Sequence, residues 1–102
     1  MQKRRSSRIT RRLEIKLASN DVSFKGITSN VSKEGLFVRT IKGFSPGTLL
    51  KMEIHLPSGK HIKQKGVVKR TIKTQFSGVK NGIGIEFIDT SPEYEEFLKA
   101  QE

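Results

Sequence analysis

The chain has 102 residues, with 20 Lys or Arg against 10 Asp or Glu, so its formal net charge at pH 7 is +10. This length suffices for one domain with one modest core, and the basic excess favours anionic partners such as phosphates, nucleic acid or a membrane surface. The chain has no cysteine, which excludes disulfides and thiolate chemistry. No apolar run approaches the roughly 18 residues needed to cross a bilayer, and the basic N-terminus lacks the apolar segment of a signal peptide. We therefore expect a soluble, cytoplasmic protein without a membrane span.

The basic residues are concentrated at the N-terminus. Residues 1–12 carry six cationic side chains and no acidic one. Such a run is typical of a solvated, flexible segment. We therefore predict a flexible basic arm over residues 1–12 and a folded domain over residues 13–102.

Six segments of the domain alternate polar and apolar residues with the period of a half-buried β-strand. They are residues 12–18, 22–27, 35–40, 49–56, 61–72 and 82–88. Gly66, inside the longest segment, predicts a bulge or a barrel corner. Regular spacing with no helical pattern among the segments predicts a mainly β fold, a small antiparallel barrel or a sandwich.

The last segment changes period and predicts a helix over about residues 91–101. Ser91 can cap it, Pro92 suits its first position, and Glu93 complements its positive end. One stripe then follows the helical spacing i, i+3, i+4, i+7; it consists of Tyr94, Phe97, Leu98 and Gln101. We expect the aromatic and leucine side chains of this stripe to pack on the sheet.

The sequence offers little for catalysis. The chain has two histidines, His55 and His61, and neither lies in the spacing of a zinc ligand set or a catalytic triad. The turn at residues 57–59 separates them, so we interpret them as surface side chains at a hairpin end. Gly82-Ile83-Gly84 precedes a strand rather than a helix, so it is no dinucleotide fingerprint. We predict no enzyme activity, no catalytic residue, no metal ligand and no cofactor.

The segment between the second and third predicted strands is the most informative one. Its residues are Asn30-Val31-Ser32-Lys33-Glu34-Gly35. Asn30 and Ser32 can bond back to the backbone, and Gly35 allows the positive φ of a tight turn. Turn chemistry alone explains this pattern. Combined with a cationic arm, however, an acceptor-rich turn supplies what is needed to hold a nucleotide with two phosphates and two bases.

Two short patterns in this order resemble the PilZ domain. Arg4 and Arg8 form an RxxxR pattern, and Asn30, Ser32 and Gly35 form a [D/N]xSxxG pattern some twenty residues later. Either pattern alone is weak, whereas both together in this strand context are fairly specific. The resemblance covers nearly the whole chain.

The resemblance implies a six-stranded antiparallel β-barrel with a C-terminal helix that binds cyclic di-GMP, a bacterial second messenger. The implied ligand-binding residues are Arg4, Arg5, Arg8, Asn30, Ser32 and Gly35. Arginine suits this role because its planar donor fork can grip a phosphate or the O6/N7 edge of guanine, and can stack on a base. Asn30 stands where aspartate is common in the family, so it cannot make a charged contact to guanine.

Two further residues are weaker candidates. Lys3 precedes the RxxxR pattern, where a cation in the family favours a stacked pair of ligand molecules. Arg70 falls near the position where some family members have an aromatic residue beside the ligand, and its guanidinium could stack on guanine instead. A solvated arginine at a strand end is the alternative interpretation.

The resemblance favours a cyclic di-GMP receptor, monomeric or weakly dimeric. Ligand would clamp the arm against the barrel and change a surface that a downstream protein reads. One alternative is a degenerate PilZ adaptor that binds only protein.

A second alternative is a basic small barrel that binds single-stranded nucleic acid. That class needs exposed aromatic side chains for base stacking. We assign most of the aromatic residues to the core or its helix cover; these are Phe24, Phe37, Phe87, Tyr94 and Phe97. Only Phe44 and Phe76 fall in predicted loops, so nucleic acid is the less expected partner.

Overall fold

The alternation of polar and apolar residues produces strands in all six predicted segments. The computed structural model describes residues 8–20, 22–40, 43–72 and 81–101. The elements within these ranges are β1 (Ile9–Thr10), β2 (Glu14–Ser19), β3 (Val22–Val31), β4 (Gly35–Thr40), β5 (Leu49–His55), β6 (His61–Ile72), β7 (Asn81–Ile88) and α1 (Pro92–Lys99). Four residues discussed above lie outside the described ranges: Lys3, Arg4, Arg5 and Phe76.

The sheet is a closed barrel. Strands β3, β2, β5, β6, β7 and β4 pair in that order, and β4 pairs again with β3 to complete the ring. All these pairings are antiparallel. This confirms the six-stranded antiparallel barrel. The short strand β1 was not predicted; it lies outside the ring and pairs with β3.

The core fills the inside of the barrel with the apolar half of each alternating strand. Ile15 and Leu17 of β2, for example, are 1% and 0% exposed, whereas Glu14 and Lys16, which alternate with them, are exposed. The remaining strands contribute aliphatic residues in the same way: Val31, Leu36, Val38, Leu50, Met52, Ile54, Ile62, Val68, Ile83 and Ile85. A period-two pattern requires this arrangement, because successive side chains of a strand point to opposite faces.

Helix α1 packs against the barrel as its apolar stripe predicts. Tyr94 and Leu98 are buried, and the Tyr94 ring meets Phe87 edge-on at 4.6 Å between centroids. The Ser91 hydroxyl accepts a hydrogen bond from Tyr94 N at 3.2 Å, which confirms the predicted cap. The helix ends at Lys99, two residues before the predicted end. No helix within the described ranges is long and apolar enough to cross a membrane.

The link between β7 and α1 depends on a buried glutamine that the sequence did not single out. Gln64 of β6 is 4% exposed. Its amide nitrogen donates to the Ile88 and Asp89 carbonyls at 3.1 and 3.3 Å, and its amide oxygen accepts from Ser91 N at 2.8 Å. This one side chain therefore satisfies three backbone groups and sets where the helix begins.

The structure differs from the sequence prediction in the position of the β6 bulge and in the burial of Phe44. The predicted bulge at Gly66 lies instead between Val68 and Arg70, and Gly66 stays in register. Gly66 is needed for packing, because a Cβ there would approach Ile85 Cγ2 to 2.6 Å. Phe44 is in a loop, as predicted, but it is half-buried and its ring lies 5.3 Å from that of Phe24.

Candidate ligand-binding site

The end of the predicted arm lies against the barrel beside the [D/N]xSxxG pattern. Strand β1 pairs with the end of β3, placing Ile9 opposite Val31 and Thr10 opposite Asn30. This pairing brings the exposed Arg8 next to Asn30, and Arg8 Nη1 donates to Asn30 Oδ1 at 2.6 Å. Residues from the two sequence patterns, 22 positions apart, are therefore in direct contact.

A buried threonine anchors the chain between β1 and β2. The hydroxyl of Thr28, which is 1% exposed, accepts from Leu13 N at 2.9 Å and donates to the Arg11 carbonyl at 2.7 Å. Thr28 N also donates to the Leu13 carbonyl at 2.9 Å. These bonds fix the chain where it crosses from β1 to β2, and so fix the point from which the arm extends.

Asn30 lies in a strand rather than in the turn where the sequence placed it. Strand β3 continues to Val31, with a bulge between Thr28 and Asn30. The bulge shifts the strand register by one residue, so that Val31 stays buried while Asn30 is on the outer face of the barrel. The Asn30 amide is therefore presented outward by a rigid strand.

Ser32 orders the turn that follows. It is 5% exposed; its backbone N–H and its hydroxyl both donate to the Gly35 carbonyl, at 2.9 and 3.2 Å. Its carbonyl accepts the Tyr94 hydroxyl at 2.7 Å. Burial raises the pKa of the Tyr94 hydroxyl well above its ordinary value, so Tyr94 remains a donor at neutral pH. Ser32 therefore connects the motif turn to helix α1.

The expectation that Gly35 provides a positive φ is wrong. Within the described residues the glycines with positive φ are Gly47 and Gly59. Gly35 instead lies opposite Glu86 of β7, and a Cβ on it would overlap the Ile85 carbonyl. The motif glycine is required because the backbones of β4 and β7 approach closely there.

Four outward-facing positions form a row across four neighbouring strands. Asn30 of β3 lies opposite Phe37 of β4, Phe37 opposite Gly84 of β7, and Gly84 opposite Arg70 of β6. We call these four positions the outer row. Since neighbouring strands are about 4.8 Å apart, the row is about 14 Å long. The weaker candidate Arg70 and the motif residue Asn30 thus stand at opposite ends of one surface.

Phe37 lies in the middle of this surface, not in the core as we expected. It is half-buried between Leu36 and Val38, which point inward. Its ring covers the glycines of β7: a Cβ on Gly82 would lie 2.8 Å from Phe37 Cε2, and one on Gly84 would lie 3.8 Å from Phe37 Cδ1. Because these two glycines have no side chain, the Phe37 ring can lie directly against the backbone of β7.

Arginines flank the Phe37 ring. The Arg39 guanidinium carbon is 5.9 Å from the centroid of the ring, within cation–π range. Arg70 crosses the neighbouring glycine, with its Nε 3.7 Å from the position of a Gly84 Cβ. With Arg8 beside Asn30, three arginines lie around a surface formed by one aromatic ring and the glycine positions of β7. A planar, anionic molecule could stack here and have its charge matched.

Phe37 and Arg39 are the site residues that the sequence interpretation missed. The signal was present, because alternation in β4 places both on the face opposite Leu36 and Val38. We assigned Phe37 inward on the basis of its apolar character alone. A half-buried aromatic side chain on the outer face of a barrel indicates a contact surface.

The chain was compared with protein families and curated proteins. A model of the PilZ domain family matches residues 2–101. A comparison with curated protein sequences found no match.

Several solved structures share the fold. The Bacillus subtilis inhibitor of motility MotI/DgrA has a TM-score of 0.78 and 21% identity over 96% of this chain and 48% of its own. The PilZ domain of Escherichia coli YcgR with c-di-GMP has a TM-score of 0.77 and 13% identity, over 96% of this chain and 87% of its own. The Klebsiella pneumoniae MrkH–c-di-GMP complex has a TM-score of 0.75 and 20% identity, over 98% of this chain and 51% of its own. The chain thus spans about half the length of MotI and MrkH.

Proposed function

Because the chain belongs to the PilZ domain family, we propose that it is a receptor for cyclic di-GMP that binds the nucleotide on the outer surface of β3, β4 and β7. The observation that carries this proposal is the contact between Arg8 and Asn30. It brings the RxxxR and [D/N]xSxxG patterns together at one edge of a surface that also offers Phe37 and Arg70. Solved PilZ structures of YcgR and MrkH that contain c-di-GMP support the choice of ligand.

The chemistry of this surface suits the proposed ligand. Cyclic di-GMP carries two phosphates and two guanines, and arginine forks can serve either group. Arg4, Arg5 and Arg8 would provide the phosphate and guanine contacts from the arm, and the Asn30 amide would hydrogen-bond a guanine edge. Phe37 and Arg70 offer flat groups on which a base can stack.

Ser32 and Gly35 would act differently from the arginines. Ser32 is buried and its hydroxyl bonds to the Gly35 carbonyl, while Gly35 lies against β7. Their proposed contribution is to hold the turn next to Asn30 in shape. Substituting either one would then reduce ligand affinity through the stability of the turn.

The proposed mechanism is an exchange of hydrogen-bond partners by the arm. In the structure, the Arg8 guanidinium donates a hydrogen bond to Asn30 Oδ1. A phosphate is a stronger acceptor for arginine than a neutral amide, because it carries negative charge and can accept two parallel N–H bonds from the guanidinium fork. Ligand would therefore draw Arg8 and the preceding arginines over the outer surface. The rearranged arm and barrel would form the surface that a downstream protein partner recognises.

Calorimetric titration of cyclic di-GMP into this chain and into Arg8→Ala tests the proposal. We expect micromolar or tighter binding, weakened tenfold to a hundredfold in the variant, because a charge-assisted hydrogen bond contributes about 1.5–3 kcal/mol. Arg12→Ala is the matched control, since it removes a cation of the same arm outside the RxxxR pattern. Cyclic di-AMP controls for guanine recognition. A stoichiometry near two ligands per chain would support the proposed role of Lys3.

The opposite result is equally clear. If neither heat nor thermal stabilisation is detected at about 300 µM cyclic di-GMP, the receptor proposal is wrong. The protein-only adaptor would then be the function to test, by capture of a partner that is insensitive to Arg8→Ala.

A further inference from the structure

The two histidines of the chain face each other across the β5–β6 hairpin. His55 ends β5 and His61 begins β6, and they are directly opposite in the strand register. Their rings are stacked, with centroids 4.0 Å apart and planes 9° from parallel. The chain has no other histidine and no cysteine. All of its imidazole ligands for a transition metal therefore lie at this one point, and the chain has no thiolate ligand.

A carboxylate completes the cluster. Glu53 Oε1 lies 3.1 Å from His55 Nε2 and 3.9 Å from His61 Nδ1. One potential ligand atom from each of the three residues lies within 4.8 Å of the others. All three side chains are partly open to solvent, at 32% for Glu53 and His55 and 49% for His61, so an ion can reach them from outside the barrel.

This spacing is close to what a metal ion requires. With metal–nitrogen bonds of about 2.0–2.1 Å and a tetrahedral angle, two coordinating nitrogens are roughly 3.3 Å apart. The stacked rings are nearly parallel, so both must rotate about their side-chain bonds before a nitrogen of each points at the same ion. The antiparallel register holds the two Cα atoms opposite each other, so the backbone need not move.

We propose that Glu53, His55 and His61 form a binding site for a borderline divalent cation of the zinc type. Two imidazoles and one carboxylate are a common set of three protein ligands for Zn²⁺, which leaves one position open. Imidazole suits Zn²⁺, Ni²⁺ and Cu²⁺, whereas Mg²⁺ and Ca²⁺ prefer oxygen ligands alone. The site therefore discriminates by ligand type against the hard cations.

The neighbouring strand offers a fourth ligand. Glu14 of β2 lies opposite His55, on the side away from His61. Directly opposed residues of an antiparallel pair project to the same face, so Glu14 is on the outer surface with the cluster. A rotation of its exposed side chain would bring a second carboxylate to the ion. An ion bound in this way would connect β2 to the hairpin.

The charges around the cluster limit its affinity. Lys16 and Lys63 lie opposite Glu53 on its two sides, and Lys60 is exposed in the hairpin turn. The positive charges of these lysines weaken the binding of a divalent cation, whereas the negative charge of Glu14 strengthens it. We therefore assign an exchangeable site of micromolar affinity rather than a permanent structural metal.

The prediction of no metal ligand came from spacing along the chain, because the two histidines, with five residues between them, form no complete zinc motif. The β5–β6 hairpin places the two histidines side by side, whatever their separation along the chain. The turn Pro57-Ser58-Gly59 lies between the histidines, and the backbone bonds of Leu56 and Lys60 close it. Equal distances from a tight turn therefore mark two residues as cross-strand neighbours.

Titration of Zn²⁺ into tag-free, chelator-treated protein tests the site. Calorimetry should show one ion per chain with micromolar affinity. In parallel NMR spectra, the imidazole signals of His55 and His61 should shift together, and no other side chain of the chain can produce such signals. Mg²⁺ at the same concentration should cause no shift.

Variants identify the ligands. We expect His61→Asn and His55→Asn each to weaken Zn²⁺ binding at least tenfold, and Glu53→Gln to weaken it severalfold. Glu96→Gln is the matched control, since it neutralises an exposed carboxylate on α1, and should leave binding unchanged. All these side chains are on the surface, so the variants should keep the wild-type unfolding temperature without metal.

Two outcomes would overturn the proposal: no saturable Zn²⁺ binding below about 200 µM, or binding that survives in the double variant His55→Asn/His61→Asn. Both measurements are made without nucleotide. Their failure therefore leaves the cyclic di-GMP proposal untouched, and a failure of nucleotide binding leaves the metal site untouched.

Discussion

Two residues of the [D/N]xSxxG pattern stabilise the fold of the motif itself. The Ser32 hydroxyl and backbone N–H both bond to the Gly35 carbonyl, and the Ser32 carbonyl accepts the Tyr94 hydroxyl. Gly35 permits contact between β4 and β7. Asn30 is the pattern residue whose polar group faces outward. The pattern therefore combines one exposed contact residue with two residues that hold it in place.

Removing the Tyr94 hydroxyl tests how much its hydrogen bond to Ser32, which links α1 to the motif turn, contributes to the stability of the fold. Tyr94→Phe leaves the buried Ser32 carbonyl without this donor, and we expect the free energy of unfolding to fall by about 1–3 kcal/mol. Chemical denaturation of both proteins at neutral pH measures this difference. Phe97→Leu, a change on the same helix that removes no hydrogen bond, is the comparison. An unchanged denaturation midpoint in Tyr94→Phe would show that the link contributes nothing.

The same hydroxyl predicts a loss of stability at high pH. Burial raises the pKa of Tyr94 in the folded state above the ordinary value of 10.0. The unfolded state therefore releases this proton first, and stability declines as the pH rises above about 10. Tyr94→Phe should show a shallower decline, since it lacks this buried phenol. Tyr94 is the single tyrosine and the chain has no tryptophan, so tyrosinate absorbance reports its titration directly; a titration at the ordinary pKa would contradict this prediction.

Among the elements, β1 is the one that connects the arm to the barrel. It has two residues and pairs with a single strand, β3. So short a strand is not stable by itself. Its position depends on the Thr28 hydroxyl, which bonds to Leu13 and Arg11 on the chain that follows β1. Thr28 lies two residues before Asn30, so loss of its hydrogen bonds would also disturb the part of the proposed binding surface that Asn30 forms.

Thr28→Val tests this anchor with a side chain of similar shape. Without the hydroxyl, Leu13 N and the Arg11 carbonyl lose their partner, and we expect destabilisation of about 1–3 kcal/mol with faster amide hydrogen exchange at Leu13. Thr40→Val is the matched control: Thr40 is equally buried, at 1%, but its hydroxyl makes one longer bond, 3.4 Å to the Lys25 carbonyl. Thr40→Val should lower the free energy of unfolding by less, and the Leu13 amide should stay protected from hydrogen exchange. Unchanged exchange at Leu13 in Thr28→Val would contradict the assignment.

At the scale of the whole molecule, cations lie on two different parts of the barrel. The outer row and Arg39 occupy β3, β4, β7 and β6. A second set of lysines projects outward from β2, β5 and β6; it consists of Lys16, Lys51, Lys63 and Lys65. The net charge of +10 is thus not confined to the proposed ligand site. Long-range attraction of polyanions and the proposed recognition of a cyclic dinucleotide would therefore involve different parts of the molecule.

Salt dependence separates these two properties. Binding of a single-stranded oligonucleotide through six or more phosphates should weaken by about a thousandfold between roughly 50 and 200 mM salt. Cyclic di-GMP has two phosphates, so its affinity should change by about tenfold or less over the same range. Fluorescence anisotropy with each ligand at both salt concentrations measures this. Oligonucleotide binding that persists at high salt and does not compete with cyclic di-GMP would favour the nucleic-acid alternative.

The strands, the helix and the family were predictable from the sequence because their signals are local. Alternation marks each strand, and a capping serine followed by proline marks the helix; both depend only on residues adjacent in the chain. The PilZ assignment, made from the RxxxR and [D/N]xSxxG patterns, is confirmed by the family match over residues 2–101. Strand ends were less accurate. The bulge that extends β3 through Asn30 depends on pairing with both β4 and β1.

The sequence by itself determined which residues can form this barrel and which family the chain belongs to. Tertiary structure decided which side chains meet. Asn30, Phe37 and Arg70 lie on strands that are distant in sequence, and their alignment in the outer row depends on registers set by core packing and by two bulges. The pairing of His55 with His61 likewise exists only once the hairpin closes. Alternation tells which face a residue occupies, whereas its neighbours on that face are fixed by the packing of the whole barrel.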